Sequence, residues 1–415
     1  MRIVILSWRD LAHPRAGGSE VYSQQLARHW AAAGHEVTYF AAAVEGAPSE
    51  EVVDGYRLVR RGGALGVYRE ARRFYRGGCR GRTDWVLDVV NTRPFLAPLW
   101  VDDAPVTALV HQVCREVWRY ETPFPVALLG RYWLEPRWLR AYRDTPVLTV
   151  SESSRRSLEA YGLRRVAVVP EGVEVPSVSL PKEPVPTLLW VGRLSPNKRP
   201  DHAIAAFRRV RESVPEARLW VVGAGPMEDR LRRQAPEGVV ICGRVDQARK
   251  FELMARAHLL LATSVREGWG LTVSEAALCG TRTVAYDVDG LRDSVTAAGG
   301  VLVEPGPGPL ARATLEVLAG APTWRAPTSV EAAGASDWVG VSARVLSGRA
   351  DDSSVHRAAG QTDRCCIHGC VHRRSALLGD RGSAHGHSTG PPTGGPGSPI
   401  ERESPDAARR RRSEL

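Results

Sequence analysis

Lysine is nearly absent from this chain. Of 56 basic residues only three are lysines, Lys182, Lys198 and Lys250, and the rest are arginines, so each lysine carries information that an ordinary surface cation does not. Cysteine is also scarce in pattern. Residues 79, 114, 242, 279, 365, 366 and 370 have no spacing that reads as a disulfide framework, which points to a reducing compartment. No run of about eighteen apolar residues occurs, so no membrane-spanning helix is expected. The opening run Arg2 to Ser7 is broken at once by Arg9 and Asp10, unlike a signal peptide. A G-x-G-x-x-G fingerprint is missing after the first strand, which excludes the usual nicotinamide dinucleotide site there. The net charge of +10 is spread along the chain and sits partly in Arg409 to Arg412, so no nucleic-acid partner is inferred from it. These absences predict a cytoplasmic protein.

What is present fits an α/β protein of more than one domain. A chain of 415 residues exceeds one ordinary core. Ile3 to Leu6 is an apolar strand leading into a loop that ends in Gly17-Gly18. The apolar positions Tyr22, Leu26 and Trp30 then recur at helical spacing, and a strand follows at Glu36 to Ala41. A glycine pair at a helix N-terminus suits an anion such as a phosphate, because free N–H groups and the helix dipole converge there. It equally suits a tight turn. Further strands are read at Trp85 to Val90, Val106 to His111, Pro146 to Val150 and Val166 to Val169. His111 stands at a strand's carboxyl end, the edge where such sheets bind ligands. Residues 1–170 form a first domain, and the proline-rich passage 171–186 reads as a linker.

A second series fills 187–348. Thr187 to Val191 runs into Gly192-Arg193-Leu194-Ser195-Pro196-Asn197-Lys198-Arg199, and a helix starts near Pro200. Arg193 and Lys198 beside a glycine turn suit a diphosphate, arginine as a planar fork and lysine as a point charge. Strands are read at Leu219 to Val222, Val239 to Cys242, His258 to Ala262 and Thr283 to Tyr286. Gly223-Ala224-Gly225 and Gly243-Arg244-Val245 lie at strand ends, where backbone groups can line a nucleotide pocket. Between the last two strands the stretch Ser264 to Gly280 (SVREGWGLTVSEAALCG) reads as a glycine loop and a helix from about Leu271 to Cys279. Its carboxylates are Glu267 in the loop and Glu275 near the helix start. Alternatively, Glu267 is a solvated loop residue and Glu275 a first-turn acid complementing the helix dipole.

The glycine pair, GRLSPNKR and EGWGLTVSEA together resemble the family 4 retaining glycosyltransferases of the GT-B fold, over roughly 1–320. The resemblance implies two Rossmann-like doubly wound domains facing a central cleft. It also implies transfer of a hexose from a nucleoside diphosphate sugar to a hydroxyl acceptor with retained configuration. It assigns Arg193 and Lys198 to the donor diphosphate. Glu267 and the backbone of Gly268, Trp269, Gly270 and Leu271 go to sugar hydroxyls, Glu275 to ribose, and Gly17 and Gly18 to the diphosphate from the opposite domain. His111 would lie beside the reacting sugar, and Gly243, Arg244 and Val245 would meet the base. No cofactor or metal is expected beyond the nucleotide sugar itself. The other reading of the same scaffold is a nucleotide-sugar-binding protein that does not transfer, since fold alone does not decide activity.

Three features stand apart. Asp287-Val288-Asp289 spells a D-x-D metal signature but is read as an exposed turn. Arg131 to Asp144 interleaves aromatics with arginines, as either a core helix with snorkelling arginines or a face for an acidic membrane or lipid-linked acceptor. That second reading would place the protein at the inner face of the membrane, working on a cell envelope glycan. Ser336-Asp337-Trp338 to Leu346 fits a closing helix that folds back over the first domain. From about 349 to 415 the composition predicts a disordered tail or a shifted reading frame. Cys365, Cys366, His368, Cys370 and His372 fit no standard zinc spacing.

Overall fold

The computed structural model describes residues 1–176, 180–320 and 324–347, so the readings of the tail and its cysteine–histidine group lie outside the described residues. The first sheet contains β1 (Arg2–Leu6), β2 (Glu36–Ala41), β3 (Glu50–Val53), β4 (Tyr56–Arg60), β5 (Trp85–Val90), β6 (Val106–Val110), β7 (Val147–Thr149) and β8 (Val166–Val168). Their spatial order is β3-β4-β2-β1-β5-β6-β7-β8. Strand β1 from Ile3 onward is continuously apolar and β5 is apolar except for Asp88, as suits a parallel sheet with helices on both faces, and all of β5 is buried. Among the described residues the one antiparallel pair is β3–β4, a hairpin that the sequence reading missed. Its turn is Asp54-Gly55, with φ of 46° and 86°, the two positive values that a tight hairpin of this twist requires.

The second sheet contains β9 (Thr187–Val191), β10 (Arg218–Val222), β11 (Val239–Gly243), β12 (Leu259–Ala262), β13 (Arg282–Tyr286) and β14 (Val301–Val303). It is parallel throughout, in the order β11-β10-β9-β12-β13-β14. The expected strands are all present, with ends shifted by a residue or two, and β14 is additional. Strand order reverses between β1 and β5 in the first sheet and between β9 and β12 in the second. Ligand crevices open at such reversals, outside the carboxyl ends of the strands. The loops that leave β1, β5, β9 and β12 are those that carry the candidate residues.

The helix Trp338–Ser347 packs on the helix Gly18–Ala32 of the first domain, as its sequence suggested. Trp338, Val341 and Val345 join the first domain's core, a burial worth roughly 1.5–3 kcal/mol for each side chain. Trp30 Nε1 donates to the carbonyl of Ser342 at 3.1 Å. Trp338 also lies flat on Gly172, where a methyl group would stand 2.4 Å from its ring. The start of the passage read as a linker is therefore packed, and Glu171 and Val173 are buried in it.

Candidate active site

In the second domain, one threonine ties two loops into a single rim. Thr263, just past β12, accepts from Trp190 Nε1 at 2.9 Å and faces the carbonyls of Lys198 and Arg199 at 2.8 Å each. Val265 N donates to Asn197 O at 2.9 Å, which repeats the tie one turn on. Lys198 Nζ is thereby held on the carboxylate of Glu267, and Ser264 Oγ donates to the same oxygen at 2.6 Å. Arg193 is exposed and enters none of the ion pairs among the described residues, leaving its guanidinium available to an anion. Gly223 and Gly225 press against this rim from below, since methyl groups there would meet the carbonyls of Gly192 and Leu194 at 1.8 and 2.5 Å. Their part is to support the loop.

Glu275 stands on the helix Leu271–Leu278, past a first turn that contains no acidic residue. The alternative of a first-turn acid is therefore replaced by an ion pair: Lys250, on the helix Gln247–Arg256, reaches Glu275 Oε1 at 2.7 Å. Sequence reading missed Lys250 as the partner. The third lysine also has fixed partners. Lys182 Nζ donates to Ala257 O and Thr281 Oγ1 at 2.7 Å each, and burial pushes its ammonium down to about 8. Every lysine thus makes a specific bond between separate elements, while arginine supplies the remaining basic groups.

The first domain presents a different surface. Gly17 caps the helix Gly18–Ala32, and its N–H donates to Glu20 Oε2 at 2.7 Å. Glu20 is buried and also accepts from Arg9 and from Asn91, the residue following β5, at 3.0 and 2.8 Å. This network fixes the glycine turn, and none of it was read from the sequence. At the end of β6, His111 is buried and neither ring nitrogen has a hydrogen-bond partner. Burial lowers its imidazole to about 4. Tyr22 packs edge-on against it, ring centroids 5.0 Å apart, and the Tyr22 hydroxyl is also unpartnered. Glu171 Oε1 lies 4.0 Å from His111 Nε2, while Glu171 Oε2 has no partner. Burial, and then the negative charge of Glu267, push the Glu171 carboxyl up to about 8. Between those values the pair is uncharged on both sides, so the 4.0 Å approach is not a salt bridge. Buried polar atoms without partners cost about 1–3 kcal/mol each. A group of them in one place calls for a partner, and at the cleft a ligand is one candidate.

The two surfaces meet at glycines. A methyl group on Gly268 would stand 2.9 Å from the carbonyl oxygen of His111, and Ser154 Oγ bonds that carbonyl at 2.9 Å. A methyl on Gly18 would stand 3.4 Å from Leu271. The N-termini of the helices Gly18–Ala32 and Leu271–Leu278 are thus brought together from opposite domains, and both suit anionic groups. Gly270 turns the chain into the second helix at φ 95°, a conformation that L side chains disfavour. Around this contact, Arg266 bridges Glu116 and Asp289 at 2.9 and 2.7 Å, and Ser157 Oγ bonds Asp289 at 3.1 Å. Asp287 and Asp289 both pair with Arg292. The D-x-D carboxylates are engaged by arginines, and Asp289 clasps the domains instead of standing in an exposed turn.

Packing limits which parts of two donor-site stretches can meet a ligand. The Trp269 side chain is buried in the first domain's core, and its Nε1 donates to Ser274 Oγ at 3.0 Å. Only its backbone is available to a ligand. Val245 is partly buried against the core cluster that contains Val222, Phe251 and Met254, so of the three residues 243–245 the exposed one is Arg244. Gly243 closes β11.

The comparisons with known proteins fit this geometry. Residues 16–175 match the family model described as Glycosyltransferase Family 4, and residues 185–320 match Glycosyl transferases group 1. Among curated proteins, a glycogen synthase of Mycobacterium tuberculosis is 27% identical over 334 residues, covering 71% of this chain and 80% of the relative. A GDP-mannose-dependent alpha-(1-6)-phosphatidylinositol dimannoside mannosyltransferase of the same species is 27% identical over 348 residues, covering 77% and 88%. A sucrose-phosphate synthase structure from Thermosynechococcus elongatus superposes with a TM-score of 0.66 at 19% identity, covering 86% of this chain and 99% of that one. The two α/β domains have the GT-B fold, and the family matches and relatives make the chain a nucleotide-sugar glycosyltransferase. The chain belongs to the family 4 glycosyltransferases.

Proposed function

We propose that the protein moves a hexose from a nucleoside diphosphate sugar to a hydroxyl acceptor with retention of configuration and without a metal. The observation that supports this best is the rim: a free Arg193 and a Lys198 fixed on Glu267 stand beside two helix N-termini. That arrangement supplies positive charge where a departing diphosphate gathers negative charge, in a cleft that closing domains keep dry. Glu267 would hold sugar hydroxyls, and Glu275 would exchange Lys250 for ribose hydroxyls. Retention by a carboxylate nucleophile needs an ionised group free to attack. Here Glu267 is bound by Lys198 and Ser264, and Glu171 is uncharged at neutral pH, so attack on the same face as the departing phosphate is the better reading. Hydrolysis of UDP-glucose, GDP-mannose and ADP-glucose without acceptor tests the donor class. Nucleotide release from one of them is expected, and release from none, despite tight binding, would contradict transfer.

The acceptor side bears on location. No helix among the described residues is long and apolar enough to cross a membrane. Phe124, Tyr132 and Trp133 are nevertheless 76%, 63% and 57% exposed, and Arg131 and Arg137 stack on the rings of Tyr132 and Trp133. Leu139 and Trp138 of the same stretch face inward, so a core helix accounts for only half of it. Aromatics flanked by arginines suit an anionic bilayer on the cytoplasmic side, where a lipid-linked acceptor for an envelope glycan would be met. Sedimentation with phosphatidylglycerol vesicles is expected for the wild type and is reduced in Trp133→Ser. Equal recovery with neutral vesicles would contradict this part.

A further inference from the structure

We propose that Glu171 is a positioning residue for His111: its carboxyl O–H donates to His111 Nε2, which fixes the imidazole proton on Nδ1 and aims that N–H at a hydroxyl of the transferred sugar. The inference rests on the reading above that His111 lies beside the hexose, but it concerns a residue that nothing in that reading uses. Glu171 sits in the passage that looks like a linker, yet it is only 4% exposed. Its backbone is pinned: Ser336 N donates to its carbonyl at 3.0 Å, and Gly172 is clamped under Trp338. The side chain therefore has a fixed root. From there Oε1 reaches to 4.0 Å of His111 Nε2, beyond a hydrogen bond. Tyr22 closes the far side of the ring. With both nitrogens and Oε2 unpartnered, the trio holds unused hydrogen-bonding capacity in one buried spot. Catalytic hydrogen bonds are often long before substrate arrives and tighten in the complex.

The proton on Glu171 is what makes the bond possible, since a carboxylate could only accept. The groups around it favour that proton. His111 is neutral, Glu267 across the cleft is negative and held by Lys198 and Ser264, and Tyr22 on the helix Gly18–Ala32 is un-ionised, with Arg344 of the helix Trp338–Ser347 on its other side. As pH rises through about 8 the carboxyl ionises, the donor is lost and turnover falls.

The test uses the full chain and whichever of UDP-glucose, GDP-mannose or ADP-glucose it hydrolyses fastest. Glu171→Leu should lower kcat about ten- to a hundredfold, the scale of losing a group that orients another. Glu171→Gln, whose amide can donate to Nε2 at any pH, should recover most of that loss and remove the alkaline fall. Nitrogen NMR should place the proton on His111 Nδ1 in the wild type and in Glu171→Gln. A Glu171→Gln pH profile superimposable on that of the wild type, or wild-type kcat in Glu171→Leu, would overturn the proposal, and the first suffices if Glu171→Leu does not fold. His111→Ala run in parallel separates the two ideas. Wild-type turnover in His111→Ala removes the reading of His111 itself, whereas an inactive His111→Ala beside a normal Glu171→Leu removes only the role of Glu171.

Discussion

The two walls of the cleft are built on opposite electrostatic terms. The second domain's wall is ionic and paired: Lys198 with Glu267, and Lys250 with Glu275. Around His111 the first domain's wall is neutral and unpaired, with His111, Glu171 and Tyr22 holding buried polar atoms without hydrogen-bond partners, while the nearby Gly17 turn is held by the Arg9–Glu20 pair. The difference teaches where each kind of chemistry belongs. Charge develops on a departing diphosphate, and fixed cations stabilise it because they need no reorganisation as it forms. Sugar hydroxyls carry no charge, so neutral groups can read them without the desolvation penalty that a buried ion would bring.

The largest effect should come from breaking the ionic wall. Lys198→Ala and Arg193→Ala are each expected to lower turnover by about two to three orders of magnitude. Wild-type kcat in a well-folded Lys198→Ala would end the diphosphate assignment. Next comes the seam between the walls. Gly268→Ala places a methyl group 2.9 Å from His111 O, so the domains must shift. A misplacement of about 1 Å can cost on the order of a hundredfold in rate, and a kinetically silent Gly268→Ala would show that the seam is loose. A smaller effect is expected of Glu275→Ala. Losing a charge-assisted bond to ribose is worth about 1.5–3 kcal/mol, read as weaker donor binding by calorimetry. Unchanged affinity would leave Glu275 as the structural partner of Lys250 alone.

The remaining effect is read in stability and not in rate. The Glu171 carboxyl is raised from 4.5 to about 8, so between those values the folded state holds a proton that the unfolded state has released. Its contribution to stability is present below pH 4.5 and is lost as pH rises towards 8. His111 works in the other direction. Its imidazole is lowered from 6.5 to about 4, so its contribution is present above pH 6.5 and is lost as pH falls towards 4. The Tm of Glu171→Gln relative to wild type should therefore climb between pH 5 and pH 8, and parallel curves would contradict the neutral wall.

The ionic wall was far more legible in the sequence than the neutral one. Arg193, Lys198, Glu267 and Glu275 sit in two local stretches with glycine turns, and the rarity of lysine drew attention to Lys198. Strands β5 and β9 were equally plain, because each is an apolar run of strand length, interrupted in β5 only by Asp88 and preceded in β9 only by Thr187. The hairpin β3–β4 was legible through Asp54-Gly55 but was obscured by the charges of Glu50, Glu51, Arg57 and Arg60 around it. Glu171 was not legible at all. Its burial depends on Ser336 and Trp338, far along the chain, and the prolines beside it suggest a free linker. The burial of the Trp269 side chain was illegible for the same reason, since it belongs to a core assembled across domains, and the expectation for its backbone is untouched by it.

Binding of the nucleoside diphosphate without its sugar tests the division most directly. By calorimetry with UDP and GDP, Lys198→Ala is expected to lose about ten- to a hundredfold in affinity, as for a charged hydrogen bond, while His111→Ala keeps the wild-type affinity. The reverse pattern, with the diphosphate insensitive to Lys198 and dependent on His111, would contradict the account.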